Sequence, residues 1–172
     1  VMDPSKGEVI AQAPSCTAAE VEAVIEQAAQ AFTTWSRTPV IKRVQVLFRF
    51  RELLLDHMDE LTYIVARENG KVWEEARGDL LKVKEPLELA CGAPTLMMGE
   101  SLMDTSSGYD TVLYREPVGV FAGIAPFNFP GMIPMGWMVP LCVATGNTMI
   151  IKASSTTPMT SLRLLELLEE AG

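Results

Sequence analysis

The sequence predicts an α/β protein in which a run of helices precedes the first half of a doubly wound, Rossmann-like parallel sheet. Three observations carry this expectation. Between Thr17 and Ala90 apolar residues recur at helical spacing. From Val118 onward, strand-like apolar runs alternate with helical ones, the pattern of βαβ units with a parallel sheet. The stretch from Pro117 to Ile151 carries no charged side chain, as expected of parallel strands buried on both faces.

Taken in order, Pro4, Ser5, Lys6 and Gly7 form a turn signal ahead of a short strand over residues 8–13. Thr17 and Glu20 make a capping box that opens a first helix, whose Val21, Val24, Ile25, Ala28, Phe32 and Trp35 form a core face. Thr38 and Pro39 supply the cap and first-turn proline of a second helix, with Val44, Leu47, Phe48, Leu54, Leu55 and Met58 along one side. A third helix over residues 59–68 stops at Asn69-Gly70, a pair suited to a left-handed C-cap. A fourth spans residues 72–90 and is expected to bend near Pro86.

After Gly92 the register changes to a hairpin over residues 100–104 and 110–116, turning at Ser106-Ser107-Gly108. An exposed hairpin of this kind is a candidate oligomerisation edge. A strand over residues 118–125, a loop over 126–130, a helix over 132–144, a strand over 148–152 and a helix over 158–170 follow. The expected organisation is therefore a helical part over residues 1–99, a hairpin over 100–117 and the first half of a Rossmann-like unit over 118–172. Two parallel strands do not complete such a sheet, so further residues are expected downstream.

With 14 Lys and Arg against 22 Asp and Glu, the net charge of −8 disfavours nucleic acid and anionic membrane surfaces as partners. Cys16, Cys91 and Cys142 lie far apart, without a CxxC pair or metal-ligand spacing, as expected of reduced thiols in a cytoplasm or organelle matrix. The first residues lack the basic and apolar regions of a secretory signal. The long uncharged stretch exceeds the roughly 20 residues a membrane-spanning helix needs. However, Pro117, Pro126, Pro130, Pro134 and Pro140 interrupt it, together with Asn128 and Asn147, which argues for buried αβ structure instead.

Gly119 and Gly123 do not make the GxGxxG fingerprint of a pyrophosphate loop. The segment Pro126-Phe127-Asn128-Phe129-Pro130 is more informative. It sets one amide side chain between two aromatics and two prolines at the carboxyl end of a parallel strand, where open α/β sheets bind ligands. Asn128 so held suits an oxyanion donor; the alternative is a buried asparagine that satisfies loop backbone. His57, near a helix end, has no cysteine or serine partner in sequence and reads as a surface residue. Arg37, Lys42, Arg43, Arg49 and Arg51 read as a solvated basic face.

The run Pro126 to Pro130 resembles the P-[WF]-N-F-P motif of the aldehyde dehydrogenase superfamily, and Gly146-Asn147-Thr148 with Lys152 resembles its G-N-T-x-x-x-K segment. Phe127 in place of tryptophan is similar to the methylmalonate-semialdehyde branch, as are Glu68-Asn69-Gly70-Lys71, the segment over residues 92–99 and that over 31–36. The resemblance runs from about Pro4 to Gly172. It implies that Asn128 stabilises the oxyanion and that Ala125, Phe127 and Lys152 contact a nicotinamide cofactor. It also implies a catalytic cysteine and a glutamate general base beyond residue 172. Cys91 and Cys142 do not match the nucleophile motif and read as small core residues.

The implied reaction is oxidation of a semialdehyde by NAD, with NADP as an alternative, and transfer of the thioester to coenzyme A as co-substrate. In the methylmalonate branch decarboxylation accompanies it. The resemblance further implies a homodimer or homotetramer, in the cytoplasm or, in a eukaryote, the mitochondrial matrix.

Three departures stand out. Ala153-Ser154-Ser155-Thr156 replaces the family's P-S-E, and a neutral Ser155 beside Thr156 removes a charge that would repel a ribose 2′-phosphate. Lys82 occupies a position where the branch has an arginine that grips the substrate carboxylate; it keeps the charge without the bidentate fork, or is simply a solvated helix residue. The stretch from Pro130 to Gly146 is one residue longer than the family pattern. Two other readings are a hydrolytic aldehyde dehydrogenase for another aldehyde and a non-catalytic assembly module.

Overall fold

The computed structural model describes residues 1–172. Its core is helical. Helices α2 (Val40–Asp56), α3 (Met58–Asn69) and α4 (Trp73–Cys91) bury Leu47, Phe50, Leu54, Leu61, Val65, Leu80, Val83 and Leu87 against one another. Leu164 and Leu167 of the last helix, α7 (Met159–Ala171), close the same core. Gly70, at φ 76°, ends α3 in the left-handed conformation that the Asn-Gly pair predicts. Helix α4 continues through Pro86, and the short α5 (Ala93–Leu96) follows it.

Several local expectations are corrected. The strand predicted over residues 8–13 is only β2 (Glu8–Val9), paired antiparallel with β1 (Met2–Asp3). In α2, Val44, Leu47 and Leu54 are buried as predicted, but Phe50, three residues from Leu47 and four from Leu54, takes the buried place expected of Phe48, which is exposed. Thr38 does not cap α2: Pro39 holds the N-cap place without a side-chain bond, and the Thr38 hydroxyl donates back to Thr34 O. Arg43 is no solvated residue. It is buried, donates to Ala144 O at 2.9 Å and to Thr38 O, and so ties α2 to the end of a distant helix.

Helix α1 (Ala18–Trp35) has its capping box: Glu20 N donates to Thr17 Oγ1 and Thr17 N to Glu20 Oε2. Its predicted core face is not core. Val21, Val24 and Ile25 are 48%, 43% and 48% exposed, and only Ala28, Phe32 and Trp35 are partly covered. That end of α1 is anchored by Trp35 Nε1 donating to Val143 O and by Thr148 Oγ1 donating to Ala28 O.

The hairpin pairs β3 (Glu100–Ser106) with β4 (Tyr109–Leu113), antiparallel and exposed throughout; the second strand stops before the predicted residues 114–116. The next two strands, β5 (Val120–Ile124) and β6 (Thr148–Lys152), run parallel in direct register, Val120 opposite Thr148 and Ile124 opposite Lys152. β5 is trimmed relative to the predicted residues 118–125, β6 covers the predicted 148–152, and the βαβ connection is the predicted one. Asn147 locks it: its Oδ1 accepts from Val118 N at 2.6 Å and Gly119 N at 3.0 Å.

The helix predicted over residues 132–144 begins instead as a π-helix over Met132–Met138 and becomes α-helical only in α6 (Val139–Ala144). Val139 N donates to Pro134 O, five residues back. A wider π turn is how a helix absorbs one extra residue, the kind of insertion expected from the sequence between Pro130 and Gly146. No helix of the chain is long and apolar enough to cross a membrane.

Candidate functional site

The carboxyl ends of β5 and β6 lie side by side, and each is followed by a loop. Ala125 N donates to Lys152 O at 3.0 Å, extending the parallel ladder by one bond before the chains part. Past this point Ala125 is buried, whereas Phe127 and Asn128 are exposed.

The loop from Phe127 to Pro130 is held by its carbonyl groups. Phe127 O accepts from Asn69 Nδ2 at 2.8 Å and from Thr157 Oγ1 at 3.1 Å. Asn128 O accepts from Lys71 Nζ at 2.8 Å, and that ammonium lies 4.2 Å from the centre of the Phe129 ring. Phe129 O accepts from Ile133 N, and Pro130 O from Ser161 Oγ at 2.8 Å. Each of these four carbonyls is engaged, so the backbone is fixed while the Asn128 side chain faces solvent. The alternative of a buried asparagine serving loop backbone does not describe Asn128; it describes Asn147, which is buried and does that work at the other end of β5.

Two buried carboxylates support the loop from below. Asp79 Oδ1 accepts from Met132 N at 2.8 Å, and Oδ2 pairs with Lys71 Nζ at 3.5 Å. Glu68 accepts from Met159 N at 2.7 Å, from Thr160 N at 2.9 Å and from the Thr160 hydroxyl, satisfying the first amides of α7 from a separate helix. Burial nonetheless holds the Glu68 carboxyl above the ordinary carboxylate range.

Beside the loop lies a cavity of about 440 Å³ whose walls include Glu68, Asn69, Phe127, Ser155, Thr156 and Thr157. Ser155 and Thr156 are exposed, as is Lys152 at the end of β6. Ser154 and Thr156 hydroxyls bond each other at 2.9 Å. The exposed hydroxyls of Ser155 and Thr156 and the ammonium of Lys152 suit the ribose and phosphate groups of a dinucleotide, while the oxygens of Glu68 are taken up by the start of α7, so this donor set fits a nicotinamide cofactor.

Of the residues the sequence singles out, Ala125, Phe127, Asn128, Lys152, Ser155 and Thr156 therefore gather at one end of the two strands. Lys82 does not join them through any bond: its ammonium pairs with Glu85 at 2.9 Å on an exposed turn of α4. Cys142 is half-buried, and burial pushes its thiol up to about 11, so at neutral pH it is not a nucleophile. Cys91 is buried and raised in the same direction. His57 Nδ1 lies 2.6 Å from Glu60 on the surface between α2 and α3. Thr157, Ser161 and Asp79 were not singled out by sequence reasoning, since a side chain that holds a distant carbonyl leaves no local periodicity.

Residues 1–172 match the sequence model described as the aldehyde dehydrogenase family. The chain belongs to the aldehyde dehydrogenase family. It is similar to malonate-semialdehyde dehydrogenase of Bacillus pumilus (strain SAFR-032), at 49% identity over the whole chain and 35% of that protein. Among solved structures it resembles methylmalonate-semialdehyde dehydrogenase of Oceanimonas doudoroffii, with TM-score 0.97 and 42% identity over the whole chain and 35% of that one. A Sinorhizobium meliloti 1021 chain of the same semialdehyde dehydrogenase description, complexed with NAD, has TM-score 0.93 at 40% identity, again over the whole chain and 35% of that one. The chain thus spans about a third of the length of the aldehyde dehydrogenases it matches.

Proposed function

We propose that the whole protein is a CoA-acylating malonate- or methylmalonate-semialdehyde dehydrogenase using NAD, and that Asn128 is its oxyanion donor. The observation that supports this most is the anchored loop: its backbone is fixed at four successive carbonyls while the amide of Asn128 stays free at the carboxyl end of β5. A donor held in advance needs no reorganisation when negative charge develops on the substrate oxygen. The aldehyde dehydrogenase relatives at 49% and 42% identity, named for malonate and methylmalonate semialdehyde, support the substrate class.

The cofactor's own contribution is to accept hydride from the substrate carbon. In this chain Lys152, Ser155 and Thr156 would hold its ribose and phosphate groups, and Ala125 and Phe127 would line its path. Ser155 leaves room for NADP beside NAD. Lys82 would meet the substrate carboxylate only after releasing Glu85. The hairpin β3–β4, with Leu102, Met103, Val112 and Leu113 exposed, would form an oligomerisation edge of a dimer or tetramer.

The test is turnover of methylmalonate semialdehyde by the whole protein with NAD, with and without coenzyme A, and mass-spectrometric identification of the product. An acyl-CoA formed only when coenzyme A is present supports the proposal. A free carboxylate formed equally fast in its absence would assign the protein to the hydrolytic aldehyde dehydrogenases.

A further inference from the structure

We propose that Lys71, held by Asp79, is the positioning residue that aims Asn128. This rests on the reading of Asn128 as oxyanion donor and deepens it. Lys71 sits in the short link between α3 and α4, far from β5 in sequence, yet its ammonium meets three features of the loop region at once. It donates to Asn128 O at 2.8 Å, faces the Phe129 ring at 4.2 Å and pairs with Asp79 Oδ2 at 3.5 Å.

Asp79 in turn reaches past Lys71 and accepts from Met132 N at 2.8 Å through its other oxygen. One buried carboxylate therefore fixes both sides of the segment: Asn128 through Lys71, and the start of the π-helix directly. The Asp79 side chain is wholly enclosed, and that of Lys71 is 15% exposed. A charge pair so placed resists rotation of the Asn128 peptide, because turning the carbonyl away gives up the shortest bond of a largely enclosed ammonium and leaves it only Asp79 at 3.5 Å. Asn69 Nδ2, two residues before Lys71, holds the neighbouring Phe127 carbonyl at 2.8 Å. The left-handed Gly70 between them lets both side chains reach the same loop. The stretch Asn69-Gly70-Lys71 thus acts as a two-pronged clamp on successive carbonyls of the Asn128 loop.

The consequence is a defect in the chemical step without a defect in cofactor binding. Misplacing a reacting group by about 1 Å can cost roughly a hundredfold in rate. Lys71→Met in the whole protein is expected to lower kcat on that order and leave KM for NAD unchanged; Lys71→Arg, which keeps a charged donor, recovers part of the rate. The deciding measurement is a double-mutant cycle with Asn128→Ala. If Lys71 acts through Asn128, adding Lys71→Met to Asn128→Ala costs nothing more. Faster amide hydrogen exchange over residues 126–132 in Lys71→Met, at an unchanged melting temperature, is the matching structural readout.

Losses that multiply in the double variant, or a Lys71→Met enzyme as fast as wild type, overturn the clamp. A kcat drop that follows a lowered melting temperature, with no rescue by Lys71→Arg, also overturns it. If Asn128→Ala itself is fully active, it is the reading of Asn128 that fails. If wild-type protein oxidises no aldehyde, the proposed function fails; hydrogen exchange in Lys71→Met still tests the clamp.

Discussion

Ser155 and Glu68 show how single side chains set measurable behaviour around the Asn128 loop. A neutral, exposed Ser155 sets no charge of its own against a 2′-phosphate. Ser155→Glu is expected to lower kcat/KM for NADP by about tenfold, equivalent to about 1.4 kcal/mol, while that for NAD holds or rises. Steady-state kinetics with both cofactors checks this. Glu68 predicts a pH dependence. Burial keeps its carboxyl protonated to higher pH in the folded protein than in the unfolded chain. Its contribution to stability is therefore full below the ordinary value of 4.5 and is lost as pH rises through the raised one. Glu68→Gln cannot ionise, so melting curves over roughly pH 4 to pH 8 should show wild type losing stability relative to the variant as pH rises.

The elements that depend on local signals were legible in the sequence, and those that depend on distant partners were not. The Thr17–Glu20 capping box and the Asn69-Gly70 stop follow from residues close in sequence, and the β5–β6 pairing follows from the alternation of strand and helix patterns between residues 118 and 152. The clustering of six site residues at the strand ends follows from the βαβ pattern once β5 and β6 are parallel neighbours. By contrast, the stripe on α1 fixes a helix but not what covers it. Likewise the burial of Arg43 depends on Ala144, a hundred positions away in the sense of a tertiary contact. The π-helical turn was legible only as a length discrepancy. Its Gly136 lies where an added Cβ would come 3.1 Å from Val83 Cα and 3.2 Å from Lys82 O, both backbone atoms of α4. Gly136→Ala should therefore force the two helices apart and cost about 1–3 kcal/mol, checked by denaturant unfolding. Asn147→Ala should cost a similar amount, about 1–3 kcal/mol, by leaving the Val118 and Gly119 amides without their acceptor.

Considered as a molecule, the chain joins a well-packed helical core to surfaces that are apolar and open. Val21, Val24 and Ile25 of α1, the hairpin residues Leu102, Met103, Tyr109 and Val112, and Phe121 and Ile124 of β5 are all exposed. Patches of this kind promote association. Residues 1–172 prepared alone are expected to self-associate, and light scattering after size exclusion would show a mass above that of one chain; a stable monomer would contradict this. The Asn128 loop is anchored from α3, from the link that follows α3 and from α7 together, and its role is to hold the oxyanion donor in place. That role is tested most directly by the single-turnover rate of NADH formation in the whole protein with wild-type Asn128 and with Asn128→Ala, at saturating aldehyde and NAD. With Asn128 as the oxyanion donor, the Asn128→Ala rate is lower by on the order of a hundredfold to a thousandfold, with an unchanged Kd for NAD. Equal rates in the two proteins would contradict that role.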